Sequence, residues 1–258
     1  FAPEAIYHLA GVSEPGKCGA QEPNELAASV NIQGTARVMA LAASLPGRPR
    51  VLFVSSCHVY ARVSREAPFV HEDDPLQPWN GYGVSKLRAE EKAFRAFRED
   101  GVDVIVARSC QHAGPGQALQ FMLPEWASQF ADESDAPVQV QTLDAWLDFT
   151  DARDVVRAYR LLMLKAPSGL AYNVGGGKNV RSGDVFELLR KQANSSRAVL
   201  QISPGERQEP IADISRLIEC TGWKPEISLE QTVADVYQDW QLRLAQPAPR
   251  ILRENGVA

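Results

Sequence analysis

Cysteine is scarce in this chain: four residues in 258, at positions 18, 57, 110 and 220, with no Cys-x-x-Cys among them. That spacing indicates neither a zinc site nor a disulfide framework, and reduced thiols fit the cytoplasm. The four histidines, His8, His58, His71 and His112, also lack ligand spacing, so no metal is expected. No apolar run approaches the roughly 18 residues that a bilayer span needs, and no signal-peptide pattern opens the chain, so no membrane association is expected. Lysines and arginines are scattered without a basic run and the net charge is -5, which argues against nucleic acid as a partner. Internal repeats and low-complexity segments are missing too. What remains is a chain of ordinary composition, 45% hydrophobic and 23% charged, long enough for one large domain or two joined lobes.

Its patterning alternates between strand and helix. Ala5 to Ala10 reads as a buried strand ending at Gly11, and Pro23-Asn24 opens a helix with Leu26, Val30, Val38 and Leu41. Val51-Leu52-Phe53-Val54 is a short continuous apolar run, as in a strand covered on both faces, with Ser55-Ser56 at its C-terminal end. A polar loop from Arg62 to Pro78 leads to a helix carrying Tyr82 and Lys86, which Gly101 ends, and Val102 to Ala107 is the next strand. That succession predicts a doubly wound α/β sheet. Past Gly114-Pro115-Gly116 a second lobe begins: a helix through Leu119 to Phe130, a strand at Val138 to Gln141, a helix capped by Thr150 or Asp151, and a strand at Ala171 to Val174. Gly175-Gly176-Gly177 lacks the lysine and spacing of a phosphate loop and is expected to be a turn. Helices near 185–193, 214–221 and 229–244 follow, and the tail from Pro247 is expected to fray.

One pair carries chemistry. Tyr82 and Lys86 are four apart and share a helix face, so the ammonium is expected beside the phenol, pulling its pKa down toward neutrality. A group tuned in that way can exchange a proton at pH 7.

Read in order, His8-Leu9-Ala10-Gly11, Val30-Asn31-Ile32-Gln33-Gly34-Thr35, Ser55-Ser56 with Val59-Tyr60, Tyr82-Gly83-Val84-Ser85-Lys86, Arg108, Gly114-Pro115-Gly116, Asp148-Phe149-Thr150 with Asp154-Val155, and Gly222-Trp223-Lys224-Pro225 form a recognisable series. The chain resembles the extended short-chain dehydrogenase/reductase superfamily, in its NAD-dependent nucleotide-sugar epimerase/dehydratase branch. Around Gln111–Gln117 and Leu147–Asp154 it is most similar to the GDP-4-keto-6-deoxy-D-mannose reductases.

The resemblance implies a Rossmann-type parallel sheet with a smaller C-terminal substrate lobe, divided as 1–113 with 149–178 and 114–148 with 179–258. It implies NADP or NAD as cofactor, reduction of a 4-keto-6-deoxy nucleotide sugar with a GDP-sugar favoured, and a cytoplasmic homodimer built on the helices after Asn24 and Gly81. Ser56, Tyr82 and Lys86 would be catalytic: Tyr82 the proton donor, Lys86 the residue that holds the cofactor ribose, Ser56 the hydrogen-bond donor to the carbonyl oxygen. Leu9, Ala10, Gly11, Asn31, Ser55 and Ser109, with Tyr82 and Lys86, would face the cofactor. Ser13, Ser56, His58, Gln111, Gln117 and Arg207 would face the substrate, Arg207 as a partner for the diphosphate. Asn31 and Arg108 read equally well as structural residues, one by a hydrogen bond and the other by a sheet-end ion pair.

Departures from the family pattern sharpen this. Cys57-His58 stand where the sugar dehydratases carry an acidic residue, which disfavours elimination and leaves reduction or epimerisation. Gln111 replaces an asparagine, and Leu147 replaces an arginine that contacts the diphosphate. The family's first strand and Gly-rich turn do not precede Ala5, so the sequence is expected to be a fragment of a chain longer by roughly 60 to 75 residues, the size of two to three βα units. Other readings are a nucleotide-sugar epimerase with bound NAD and a binding protein that has lost turnover.

Overall fold

The computed structural model describes residues 3–245; the tail expected to fray lies outside them. In chain order the elements are β1 (Ala5–His8), α1 (Glu25–Ala27) running through a π-helical turn at Ala28–Gln33 into α2 (Gly34–Ser44), β2 (Arg50–Ser56), β3 (Phe69–Val70), α3 (Gly81–Asp100), β4 (Val104–Ser109), β5 (Gln111–Ala113) and α4 (Met122–Ala131). There follow β6 (Val138–Val140), β7 (Ala145–Asp151), α5 (Ala152–Lys165), β8 (Leu170–Val174), β9 (Asn179–Arg181), α6 (Ser182–Gln192), β10 (Val199–Gln201), β11 (Arg207–Gln208), β12 (Ile211–Ala212), α7 (Ser215–Thr221) and α8 (Leu229–Ala245).

Four strands make the central sheet in the order β1-β2-β4-β8, all parallel. The two-residue period of a strand sends alternate side chains to opposite faces. Val51, Phe53, Val104 and Val106 pack with Ala89, Ala93 and Ala96 of α3, while Leu52, Ile105 and Ala107 pack with Val155, Ala158 and Leu162 of α5. Helices on both faces explain why β2 and β4 read as continuous apolar runs. A separate core holds Trp126, Phe130, Phe186, Leu189 and Val236, joining α4, α6 and α8 to β7.

Helix ends follow local chemistry. Asn80 Oδ1 accepts from Gly83 N at 2.7 Å to cap α3, which Gly101 terminates in the left-handed region at φ 67°. Of the two candidate caps for α5, Asp151 is the one used: it accepts from Arg153 N at 2.8 Å. The three glycines form a turn, as expected, with Gly176 N and Gly177 N donating to the buried Asp148 carboxylate at 2.5 and 3.0 Å. Arg108 also follows its structural reading. Its guanidinium pairs with Glu90 of α3 at 2.8 Å and donates to Tyr60 Oη at 3.1 Å and Glu72 O at 2.9 Å, all inside the protein.

Candidate active site

The C-terminal ends of β1, β2 and β4 converge on one cavity of about 490 Å³. Open α/β sheets bind their ligands at this edge. Leu9 and Gly11 line it just past β1, Ser55 and Ser56 at the end of β2 with His58 just beyond, Ser109 at the end of β4 and Gln111 at the start of β5, with Tyr82 and Lys86 from α3 and Ser13 and Gln117 from connecting segments. The wall is built mainly from strand ends and one helix. Ala10, Asn31 and Arg207 are not part of the lining.

Asn31 sits where the helix takes its π turn, a local widening often seen at functional sites. Its Oδ1 accepts from Val12 N at 2.8 Å, and its Nδ2 donates to Val12 O at 3.2 Å and to Ser85 Oγ at 2.8 Å. Both ends of the amide are therefore engaged within the protein, which favours the structural reading. Arg207 is an exposed residue of β11.

Tyr82 and Lys86 are both buried, but the expected coupling between them is not what the isolated chain displays. Lys86 Nζ donates to Val54 O at 2.9 Å and lies 6.0 Å from the centre of the Tyr82 ring. Burial pushes the Tyr82 phenol up to about 12, with the nearby Ser56 hydroxyl opposing it in part. Burial likewise pulls the Lys86 ammonium down to about 8. The lowered phenol pKa anticipated from Tyr-x-x-x-Lys is corrected accordingly: at this separation desolvation outweighs the cation.

A second correction concerns the cysteines. Cys57 and Cys110 form a disulfide, although 53 residues separate them. Ser56 and Ser109 are register partners on adjacent parallel strands, so the residues that follow them lie side by side, Cα to Cα 5.2 Å, within the span a disulfide bridges. Sequence spacing could not reveal a juxtaposition made by sheet register. Closing a loop of that length stabilises by about 2–4 kcal/mol. Reduction with excess dithiothreitol should lower the unfolding free energy by that amount in urea titrations; an unchanged midpoint would mean that the thiols are not joined in solution.

The site has room for a bound dinucleotide's polar groups. Ser55 Oγ and Gln117 Oε1 are buried without a hydrogen-bond partner, and both residues line the cavity. Native proteins rarely leave such atoms unpaired unless a ligand or water completes them. A Cβ on Gly11 would come within 3.2 Å of Lys86 Nζ and Asn31 Oδ1, so either side chain would have to shift to admit one. The model of the NAD dependent epimerase/dehydratase family matches residues 1–175.

The chain belongs to this family.

An epimerase/dehydratase-family chain of this kind is an NAD(P)-dependent, oxidoreductase-type enzyme. It is 30% identical to GDP-6-deoxy-D-mannose reductase of Pseudomonas aeruginosa over 95% of its own length and 82% of that protein's. It is 26% identical to dTDP-glucose 4,6-dehydratase of Streptomyces griseus over 79% of its length, and spans 62% of that relative. The solved structure of RMD from Pseudomonas aeruginosa complexed with NADPH superposes with a TM-score of 0.87 at 31% identity, covering 93% of this chain and 82% of the other. Among the described residues no helix is long and apolar enough to cross a membrane, and no cluster of side chains could hold a metal ion.

Several lining residues escaped the sequence reading. Tyr159 of α5 meets Ser109 Oγ at 2.5 Å, and Glu209 enters from the connection between β11 and β12. Tyr159 looked like one more apolar position on a helix stripe. Glu209 sits in a segment with no periodicity, so nothing local marked it. Leu147 is buried and forms apolar wall.

Proposed function

We propose that this protein reduces the C4 carbonyl of a 4-keto-6-deoxy nucleotide sugar, with a GDP-linked sugar as substrate and NADPH as the reductant. The observation that carries the reading is the convergence of Ser56, Tyr82 and Lys86 at the C-terminal edge of the parallel sheet, in one cavity. The likeness to a GDP-6-deoxy-D-mannose reductase and to an NADPH complex supports the choice of sugar and cofactor.

Bound reduced nicotinamide supplies a hydride to the carbonyl carbon. The protein's part is binding, orientation and proton transfer. Gly11, Ser55, Ser109 and Lys86 hold the dinucleotide. Ser56 Oγ directs the carbonyl oxygen, and the Tyr82 hydroxyl passes its proton to that oxygen as negative charge builds there. Lys86 has donors to spare beyond Val54 O, so the same ammonium can hold a ribose hydroxyl and favour the tyrosinate that results. Leu147 leaves the diphosphate without a cation from β7. Arg62, 4.2 Å over the Trp79 ring, and Arg207 are the cations whose charge reaches the Glu209 side of the cavity, and they take that role. A homodimer formed through α2 and α3, where Leu41 and Phe97 are exposed, completes the reading, while the Cys57–Cys110 disulfide removes the reduced thiols on which the cytoplasmic expectation rested.

Purified full-length protein should oxidise NADPH when given GDP-4-keto-6-deoxy-D-mannose; absence of oxidation with cofactor binding intact refutes the proposal. The same assay reads Lys86. Its ammonium is charged below a pKa of about 8 and neutral above it, so the rate should fall as pH rises through that value. Lys86→Arg should move the decline to higher pH, and a pH profile unaffected by that change would remove Lys86 from the account.

A further inference from the structure

His58 and Glu209 face each other in the wall of the cavity, and the proposed reduction gives neither of them a task. Their geometry specifies one. Asn80 uses its Oδ1 to cap α3, so the atom it presents to His58 Nδ1, at 3.2 Å, is the Nδ2 donor. Nδ1 therefore accepts, and the ring proton resides on Nε2. The ring stacks on Trp79 with centroids 5.6 Å apart and meets Tyr82 edge-on at 5.5 Å, which fixes its direction. Burial holds the imidazole down to about 4, so it is neutral at pH 7 and donates through Nε2 alone.

Glu209 is fixed from the other side. Its backbone N–H donates to Trp146 O at 2.8 Å, locking the residue to β7. Burial raises the pKa of its carboxyl, while Arg207 and Arg62 pull it the other way. Glu209 Oε2 lies 3.9 Å from His58 Nε2. A direct hydrogen bond needs roughly 2.7–3.2 Å, so the two groups do not satisfy each other. A hydroxyl set beside the line joining them can meet both at ordinary distance, accepting from Nε2 and donating to the carboxylate.

We propose that His58 and Glu209 form a donor–acceptor clamp that selects substrates by the hydroxyl on the sugar carbon next to the reacting carbonyl. The proposal rests on the reduction read above. In a 4-keto-6-deoxyhexose, C5 carries only the ring oxygen and the methyl group, so C3 is the one neighbour of C4 that bears a hydroxyl. His58 is placed for that position: its backbone N–H donates to Ser56 Oγ at 3.2 Å and its ring abuts Tyr82, the two residues directed at the C4 oxygen. The clamp makes the C3 hydroxyl a specificity determinant, because a bound sugar lacking it covers these half-buried side chains and leaves a donor and an acceptor unpaired beneath it.

The test uses Glu209→Met, which keeps length and removes the acceptor, and Glu209→Gln, which keeps an acceptor oxygen. Calorimetry on the NADPH-bound protein measures affinity for GDP-6-deoxy-D-mannose and for its 3-deoxy counterpart, and kcat/KM is measured with the two corresponding 4-keto sugars. Glu209→Met should bind the hydroxylated sugar about 10- to 100-fold more weakly and should lose nothing on the 3-deoxy sugar, with Glu209→Gln between. Equal losses on both sugars, or none on either, overturn the clamp. If wild-type protein turns over neither keto sugar while the substrate-dependent loss of affinity persists, the reduction fails and the clamp stands; if wild-type protein binds neither sugar, both fail.

Discussion

Tyr82→Phe should lower kcat by at least about 100-fold, the lower end of what a positioned general acid contributes, while leaving NADPH affinity within about 3-fold. The phenol is buried, its ring is held against His58, and its helix is anchored at the first turn by the Asn80 cap. Removing the hydroxyl therefore takes away a proton source and changes little else. At a pKa of about 12 in the chain alone, the phenol is fully protonated at pH 7, which is the form a reduction needs. A base would need the opposite state. Steady-state kinetics with saturating NADPH and a fluorescence titration of cofactor binding separate the two quantities. Near-normal turnover would assign the proton to another group; Tyr159, hydrogen-bonded to Ser109 in the same cavity, would be the next to examine.

Glu90→Gln should destabilise the protein by about 3–5 kcal/mol, because it leaves the Arg108 guanidinium charged, buried and without its anion. For a chain of this size that corresponds to a fall in Tm of roughly 6–20 °C. Replacing the pair together, Glu90→Leu with Arg108→Met, should recover much of the loss, since the cost of an uncompensated buried charge disappears. Urea unfolding of the two variants and the wild type measures this, and equal stability of Glu90→Gln and wild type would contradict it. The pair matters beyond stability. Arg108 ties α3 to β4, and through Tyr60 and Glu72 to the segment after Ser56, so it helps set Tyr82 against Ser56. Tyr60 is itself fixed by Asn173 Oδ1 at 2.7 Å, which extends the same network to β8.

The parts of the fold that rest on local rules were legible in the sequence. β2 and β4 could be read from continuous apolar runs, α3 from its asparagine cap and terminal glycine, and the glycine turn from its lack of a phosphate-loop lysine. That Ser56, Tyr82 and Lys86 would meet at one sheet edge was legible because strand ends and helix faces have fixed periods. What escaped depended on distant segments meeting. The Cys57–Cys110 bond comes from sheet register. Glu209 reaches the cavity only because β11 pairs with β7 and places the following residues at its mouth. The Tyr82 pKa was misjudged for a related reason: spacing puts a lysine on the same helix face, but only packing decides whether its ammonium turns to the phenol or to Val54 O. Asn31 and Arg108 had two readings apiece, and hydrogen-bond partners far along the chain favour the structural one for both.

The most direct measurement follows a label. NADPH carrying deuterium at C4 of the nicotinamide is incubated with the protein and GDP-4-keto-6-deoxy-D-mannose, and the product sugar is analysed by mass spectrometry and NMR. The account predicts one deuterium per sugar, located at C4, with one NADPH consumed for each. A product without deuterium at C4, or interconversion of sugars with no net NADPH consumption, would contradict it.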